Sequence, residues 1–354
     1  MNEQRNNGKS MAMMVSAMLI FGTIGIFRRF LPLSSGFLAF ARGAIGGLFL
    51  LVYIQIQGLR KKNKELAARN AATLDRAAGN EATDETASND TANEAADEPA
   101  DKTALPLGLE NLLAVMPSAA KTAWLAVAGA AIGVNWILLF EAYNYTTVPT
   151  ATLCYYMQPT IVLLLSPLIF RERLTARKAI CAAVAIVGMV LVSGILDGGA
   201  GAATNAADNT RGILYGLGAA VFYSIVVIMN KKIGSVDAYY KTVIQLFSAA
   251  LVMIPYLLVT RDFGRGPIQA STVVLLLVVG LVHTGFAYVL YFGSMDGLRA
   301  QTIALFSYID PVAALLLAAV VLHEALSVAG IIGAVMILGA AVVSELELPG
   351  KAAE

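Results

Sequence analysis

Long runs of apolar residues are the feature that most constrains what this chain can fold into. Each run is roughly 20 residues long, enough to cross a hydrocarbon layer about 30 Å thick as a helix. Lipid offers the backbone no hydrogen-bond partner, so each run is predicted to be an α-helix. We count ten predicted spans: residues 11–28, 36–57, 123–142, 148–170, 177–196, 212–230, 239–259, 272–294, 300–322 and 328–345.

The composition fits a chain dissolved in a bilayer. Hydrophobic residues make up 58% of the 354 residues and charged residues 14%, which is more apolar side chain than a water-soluble chain can bury. The sequence therefore predicts an all-α integral membrane protein that crosses the cell membrane many times. No stretch interleaves Lys or Arg with aromatic residues, so no nucleic-acid partner is expected.

Lys and Arg residues are distributed unevenly between the two sides of the membrane when the loops are assigned to the sides alternately. Cytoplasmic loops carry the excess of these residues in membrane proteins. The side that includes both chain ends is the richer one, with residues such as Lys61, Arg171 and Lys231. The other side has only a few: Arg28, Arg29, Arg211, Arg261 and Arg265. Both termini are therefore predicted to be cytoplasmic.

The segment 62–104 differs from the rest of the chain. It holds ten acidic and five basic residues among many Ala, Asn and Thr residues, with few large apolar side chains. Such a composition is typical of disorder. We interpret the segment as a disordered acidic cytoplasmic insertion, and the alternative is a segment that binds a partner.

The chain also repeats itself internally. Residues 133–174 align with residues 285–326 without a gap. The informative matches are Gly133 with Gly285, Thr150 with Thr302, Tyr156 with Tyr308, Pro159 with Pro311 and Glu172 with Glu324. Because each half has an odd number of spans, the second half must enter the membrane from the opposite side. The sequence thus predicts two inverted five-helix repeats, 11–196 and 212–345, an architecture typical of secondary transporters; a duplication kept only for packing is the alternative.

Two stretches of the repeat share a distinctive order of residues: ATLCYYMQPTIVLLLSPLIFRERLT and TIALFSYIDPVAALLLAAVVLHEALS. In each, a proline within an apolar helix is followed 13 residues later by a glutamate. The first half adds FGTIGIFRRF and Arg42. This pattern resembles the drug/metabolite transporter superfamily, in particular its ten-helix permeases with two EamA-type domains. The resemblance implies proton-coupled or passive movement of small metabolites, often the export of amino acids or toxic compounds.

Asp310 is the sharpest candidate for a functional residue inside a span. It precedes Pro311 midway along span nine, where a charge costs about 2.5 to 3.5 kcal/mol. The proline also leaves a backbone carbonyl without its helical donor. Asp310 is expected to be a counter-charge for an amino group or a proton-binding site, and the alternative is a hydrogen bond to a neighbouring helix. Its repeat partner Gln158 precedes Pro159, so the two prolines mark equivalent depths near the midplane.

Other residues near this depth complete the predicted site. His283, midway along span eight, is a candidate to couple proton flow to transport as a titratable pair with Asp310, although a lone buried histidine is also common as a structural residue. The candidates for substrate binding lie on five spans: Asn135, Tyr156, Gln158, Tyr223, Tyr288, Tyr308 and Asp310. Aromatic residues in membrane helices also serve in packing or as interface anchors, so that alternative stays open.

Arg42 is a charged residue roughly 9 Å inside span two at 1.5 Å per residue. Three roles are open for it: snorkelling to the membrane surface, an ion pair with a residue such as Glu141, or an electrostatic gate that controls passage.

Together these features predict a secondary transporter that moves a small organic metabolite by alternating access, as an exporter. The acidic residue at the midplane favours an amino acid or another amine-bearing compound. No nucleotide-binding loop is present to power a pump, and no clustered residues predict catalysis, a metal or a cofactor. The alternatives are a membrane-embedded enzyme and a sensor that uses the acidic segment. The last helix of each half is a candidate surface for a homodimer.

Overall fold

The computed structural model describes residues 2–81, 118–146, 148–192, 206–234, 236–261, 263, 269–323 and 327–345. The chain divides into two compact units, Met1–Leu50 with Pro117–Glu354 and Leu51–Met116. We number the described helices α1 to α10. Their bounds are α1 Asn2–Arg29; α2 Ser35–Glu81; α3 Ala119–Tyr145; α4 Val148–Tyr155 and Gln158–Phe170; α5 Ala176–Val192; α6 Ala206–Lys232; α7 Ala238–Thr260; α8 Ala270–Val278, Val279–Phe286 and Ala287–Ser294; α9 Ala300–Ser307 and Ile309–Leu322; α10 Val328–Glu345.

Nine of the ten predicted spans lie within these helices, and the fifth, 177–196, overlaps α5, with residues 193–196 outside the described residues. The prediction of an all-α membrane protein is confirmed. Within the described residues, seven helices are long and apolar enough to cross a membrane by length and composition. α10 provides a shorter apolar helix, Val328–Ser344. α1 and α5 correspond to the remaining two predicted spans.

The acidic segment differs in part from the prediction. Residues 62–81 are not disordered, because α2 continues through them to Glu81. Ala, Lys, Glu, Leu and Arg are frequent there and favour a helix. Extending an existing helix also avoids the cost of nucleating a new one. Residues 82–104 lie outside the described residues.

The two halves of the sequence interleave in the first unit. α3 packs against α6 and α7, while α1 packs against α8 and the second segment of α9. α5 packs against α10. Each half therefore supplies helices that contact the other half, which places residues of both halves beside one another at the centre.

Two helices are interrupted beside their central prolines. α4 breaks between Tyr155 and Gln158, and α9 breaks at Tyr308. A proline has no N–H to donate to the preceding turn. At both breaks a backbone hydrogen bond spans three residues instead of the four of an α-helix. Met157 N donates to Cys154 O at 3.2 Å, and Tyr308 N donates to Leu305 O at 3.3 Å.

Candidate functional site

Hydrogen bonds join the two interrupted helices, α4 and α9. In each bond a tyrosine of one helix contacts a residue of the other helix. The Tyr156 hydroxyl donates to Asp310 Oδ2 at 3.1 Å. The Tyr308 hydroxyl lies 2.7 Å from Thr160 Oγ1. Tyr156 and Tyr308 are equivalent in the repeat, and each stands shortly before its central proline. Equivalent tyrosines thus reach across in both directions and connect the halves where both helices are interrupted.

Aromatic side chains from four helices surround this junction. We call Phe21, Tyr155, Tyr156, Tyr223, Tyr288 and Tyr291 the aromatic cluster. Its rings contact one another in a chain: Tyr156 with Tyr155 at 5.6 Å, Tyr155 with Tyr223 at 5.9 Å, Tyr223 with Tyr291 at 6.4 Å, Tyr291 with Phe21 at 5.9 Å and Phe21 with Tyr288 at 5.2 Å. Tyr288 and Tyr291 are buried, whereas the other three tyrosines are half-buried and keep accessible surface.

Asp310 and Arg42 are both half-buried. Asp310 accepts a hydrogen bond from Tyr156 of the aromatic cluster, whereas Arg42 lies over Trp136. They form no ion pair with each other, since the ion pairs between described residues are Arg211 with Asp208 and Lys241 with Asp296. Among the described residues, no group of three or more His, Cys, Asp and Glu side chains could hold a metal ion.

Arg42 stacks on the ring of Trp136, with its guanidinium carbon 4.4 Å from the ring centroid. An ion pair of Arg42 with Glu141, one of the three roles open for Arg42, is not among the ion pairs between described residues. Glu141 instead accepts hydrogen bonds from the Tyr256 hydroxyl at 3.1 Å and from Asn144 at 3.3 Å. The reason is that Trp136 holds the guanidinium by a cation–π contact, while neutral donors already satisfy the carboxylate.

Several buried polar atoms around the cluster have no hydrogen-bond partner among the described residues. They include Arg42 Nε, Asn135 Oδ1, Gln158 Nε2, His283 Nδ1 and the Tyr291 hydroxyl. The amide of Asn135 is anchored on its other side, where Nδ2 donates to Ala219 O at 2.7 Å. Buried polar atoms are nearly always paired in folded proteins. These atoms lie on α2, α3, α4 and α8 and have hydrogen-bonding capacity left for a polar ligand or water.

His283 lies in a part of α8 that widens into a π-helix, Val279–Phe286. Its Nε2 is 2.5 Å from Thr23 Oγ1, and the Thr23 hydroxyl already donates to Ile20 O at 2.7 Å. This contact ties the His283 ring to α1. Local π-helices are frequent at functional sites.

The titratable pair of His283 with Asp310 stays a prediction, and the two side chains have different hydrogen-bond partners, Thr23 and Tyr156. α1 packs against both α8 and α9 and mediates between them. Thr23 contacts His283, and a methyl group added at the neighbouring Gly22 would lie 2.9 Å from Asp310 O. His283 and Asp310 therefore have a common neighbouring helix, α1. Residues at a similar depth in the membrane need not contact each other directly.

The turn that joins α8 to α9, residues 295–299, is held by two lysines, the half-buried Lys231 of α6 and the buried Lys241 of α7. Lys241 Nζ lies 3.1 Å from Asp296 Oδ1, and the Lys241 side chain is fully buried. Lys231 Nζ donates to two backbone carbonyls in the turn, those of Met295 and Leu298. A buried lysine needs such partners to stay charged.

Glu172 also contacts this region, at the start of α9. Its carboxylate accepts hydrogen bonds from Ala300 N at 3.0 Å and from Gln301 N at 3.3 Å. These amides begin α9, so a residue of the first half caps a broken helix of the second half.

Sequence reasoning missed four residues that the structure brings to the site: Phe21, Thr23, Tyr155 and Thr160. Phe21 and Thr23 stand in the stretch that begins FGTIGIF, which had been noted only for its resemblance. Tyr155 is adjacent to Tyr156, and spacing along a helix does not reveal which of two neighbouring tyrosines faces the centre. Thr160 had one available signal, its position one helical turn after Tyr156.

Comparisons with known proteins agree with this picture. The sequence model of the EamA-like transporter family matches residues 107–194 and 210–345. Protein YxxF of Bacillus subtilis (strain 168), described as an uncharacterized transporter, is 27% identical over 62% of this chain and 68% of that protein. Protein PecM of Dickeya dadantii (strain 3937) is 26% identical over 68% of this chain and 80% of its own length. A crystal structure with 20% identity has a TM-score of 0.67 and covers 96% of each chain, which shows a shared fold.

Proposed function

Because the chain belongs to the EamA-like transporter family, we propose that this multi-pass membrane transporter is a secondary transporter that moves a small organic metabolite by alternating access. The observation that carries the proposal is the pair of bonds from Tyr156 to Asp310 and from Tyr308 to Thr160. They join the two halves where both helices are interrupted. A single such bond contributes only about 0.5 to 3 kcal/mol, so the halves can separate and re-form these contacts during a transport cycle.

The substrate in this proposal bears an amino group and is exported. A half-buried carboxylate, Asp310, is the counter-charge available at the junction. The tyrosine faces of the aromatic cluster favour a cation. Asn135, Gln158 and Tyr288 contribute polar groups to the same site. The outward direction follows the family resemblance, and the cell membrane with both termini cytoplasmic follows the distribution of Lys and Arg.

Proton coupling in this proposal uses Asp310 and His283 through α1. The imidazole of His283 can take up a proton, and Thr23 connects its ring to α1. Gly22 lets α1 approach the backbone of Asp310 closely. A change of protonation at one of these two residues can therefore move α1 relative to the other residue. Arg42 acts as an electrostatic gate beside the cluster.

A homodimer in this proposal uses the outward apolar face of α10. The small residues of α5 and α10 are occupied within the chain, since a methyl group added at Gly333 would lie 2.5 Å from Gly188 O. Exposed residues such as Val335 and Val342 remain on the other face of α10.

The proposal is tested with purified protein in proteoliposomes, by measuring uptake of labelled amino acids and amines at several values of pH. Asp310→Asn is expected to reduce uptake at least tenfold, or to leave uptake that no longer responds to a proton gradient, while the protein stays folded. Asp208→Asn is the matched control, because Asp208 pairs only with Arg211 near the start of α6. Normal uptake with unchanged pH dependence in Asp310→Asn would remove Asp310 from the mechanism. Wild-type protein that moves none of the solutes would count against the proposed substrate.

A further inference from the structure

Arg42 has the geometry of a group prepared for an anion. Trp136 is buried and holds the guanidinium plane from one face. Arg42 has no carboxylate partner in the described part of the chain, and its Nε is buried without a hydrogen bond. A guanidinium fixed by stacking presents its N–H groups along one edge, which matches the two oxygens of a carboxylate.

Two of the unpaired buried atoms, Arg42 Nε and Gln158 Nε2, can only donate. Asn135 Oδ1 can only accept, and the Tyr291 hydroxyl can do either. Buried donors without acceptors cost free energy until a ligand or water supplies the acceptors. An acceptor-rich group on the substrate would meet this need, and an ammonium group alone would not.

The charges limit the ligand further. Arg42 and Asp310 have opposite formal charges and make no direct ion pair among the described residues. The α2 helix that bears Arg42 packs closely on α8 of the aromatic cluster, since a methyl group added at Gly46 would lie 2.9 Å from Gly285 N, and Asp310 joins the cluster through Tyr156. A ligand of zero net charge with one positive and one negative end would pair both of them. A phosphate carries more negative charge than Arg42 alone would balance, and Lys231 and Lys241 are engaged by the α8–α9 turn.

We propose that Arg42 is a specificity-determining residue that binds the free carboxylate of a zwitterionic substrate whose ammonium group is bound by Asp310. This inference rests on the proposed transport function and adds the second charged group of the substrate. The aromatic cluster then receives the rest of the molecule, so the site distinguishes an amino acid from the corresponding amine.

The test compares ligands that differ only in their charged groups. Purified protein in detergent is titrated with the twenty common L-amino acids, followed by thermal shift. For the tightest ligand, the primary amide, the decarboxylated amine and the N-acetyl derivative are titrated as well. In the wild type, each of the three analogues is expected to bind at least tenfold more weakly than the parent amino acid, because one charged residue of the site loses its partner.

Variants of Arg42 and Asp310 test which residue binds each charged group of the substrate. Arg42→Gln is expected to weaken binding of the amino acid to the level of its amide while leaving amide binding within twofold of the wild type. Arg42→Lys keeps the charge and should restore part of the preference. Asp310→Asn is expected to remove the preference for the amino acid over its N-acetyl derivative. Arg60→Gln, an exposed arginine in the same helix, is the control and should change nothing.

Equal binding of the amino acid and its amide by the wild type would overturn the inference, as would an Arg42→Gln variant that weakens both ligands by the same factor. The inference also fails if no amino acid binds. The proposed transport function survives these outcomes if proteoliposomes still carry an amine in a manner that depends on Asp310. Loss of all solute transport would instead overturn the proposed function itself.

Discussion

At the scale of single residues, the repeat gives the chain two tyrosines with different tasks. Tyr156 donates to the carboxylate of Asp310, whereas Tyr308 pairs with the neutral hydroxyl of Thr160. Tyr156 is half-buried, while Tyr308 is 2% exposed. The two equivalent tyrosines therefore differ: Tyr156 contacts a carboxylate, whereas Tyr308 contacts a neutral hydroxyl in the packed interior.

This difference can be measured by removing one hydroxyl at a time. Tyr156→Phe is expected to reduce transport of an amine-bearing solute about tenfold, because a hydrogen bond to a charged group contributes roughly 1.5 to 3 kcal/mol. Tyr308→Phe should reduce transport less and lower the unfolding temperature more. In proteoliposomes, the double variant Tyr156→Phe/Asp310→Asn should transport no worse than Asp310→Asn alone, because the two residues act together. Additive losses would show that they act independently.

At the scale of elements, α1 connects the two titratable candidates through one close approach. A methyl group added at Gly22 would lie 2.6 Å from Ala313 Cβ and 2.9 Å from Ala314 N. These neighbours are a small side chain and backbone, so they cannot turn away. The glycine allows α1 to lie directly on α9 beside Asp310.

Gly22→Ala is therefore expected to destabilise the protein by about 1 to 3 kcal/mol through overpacking and to reduce transport. Gly8→Ala, an exposed position in the same helix, is the matched control, because a methyl group there meets nothing within 4 Å. Thermal unfolding in detergent and uptake by proteoliposomes measure the two effects. A Gly22→Ala variant as stable and active as Gly8→Ala would contradict the close packing of α1 on α9.

The α8–α9 turn offers a second test at this scale. Asp296→Asn is expected to lower the unfolding temperature, because it leaves the fully buried Lys241 without its carboxylate. Lys241→Met should be tolerated better, since it leaves no buried charge. The double variant Lys241→Met/Asp296→Asn should therefore unfold at a higher temperature than Asp296→Asn alone. The reverse order, measured by thermal unfolding, would show that the ion pair does not hold the turn.

At the scale of the whole molecule, the acidic segment is an insertion between the second and third spans of the first half. The family model matches residues 107–194 and 210–345, so its match does not include the segment. The second half has no corresponding insertion between its second and third spans. Transport by the bundle should therefore not require the segment.

Deleting residues 65–104 is expected to leave uptake within twofold of the wild type in proteoliposomes, with the same pH dependence. The residues that form the junction and the aromatic cluster all lie outside this deletion. A folded deletion variant that has lost uptake would favour the alternative in which the segment takes part in function by binding a partner.

The sequence by itself determined the ten helices, the repeat and the acidic residue before the second central proline. These are properties of positions along the chain: the length of an apolar run, the offset of two matching stretches and the cost of a charge in lipid. Tertiary structure alone decided the partners: Asp310 with Tyr156, Arg42 with Trp136 and His283 with Thr23. These residues are distant in the chain, and only the interleaving of the halves brings them together. Periodicity shows which residues share a helix face, but not which helix that face meets.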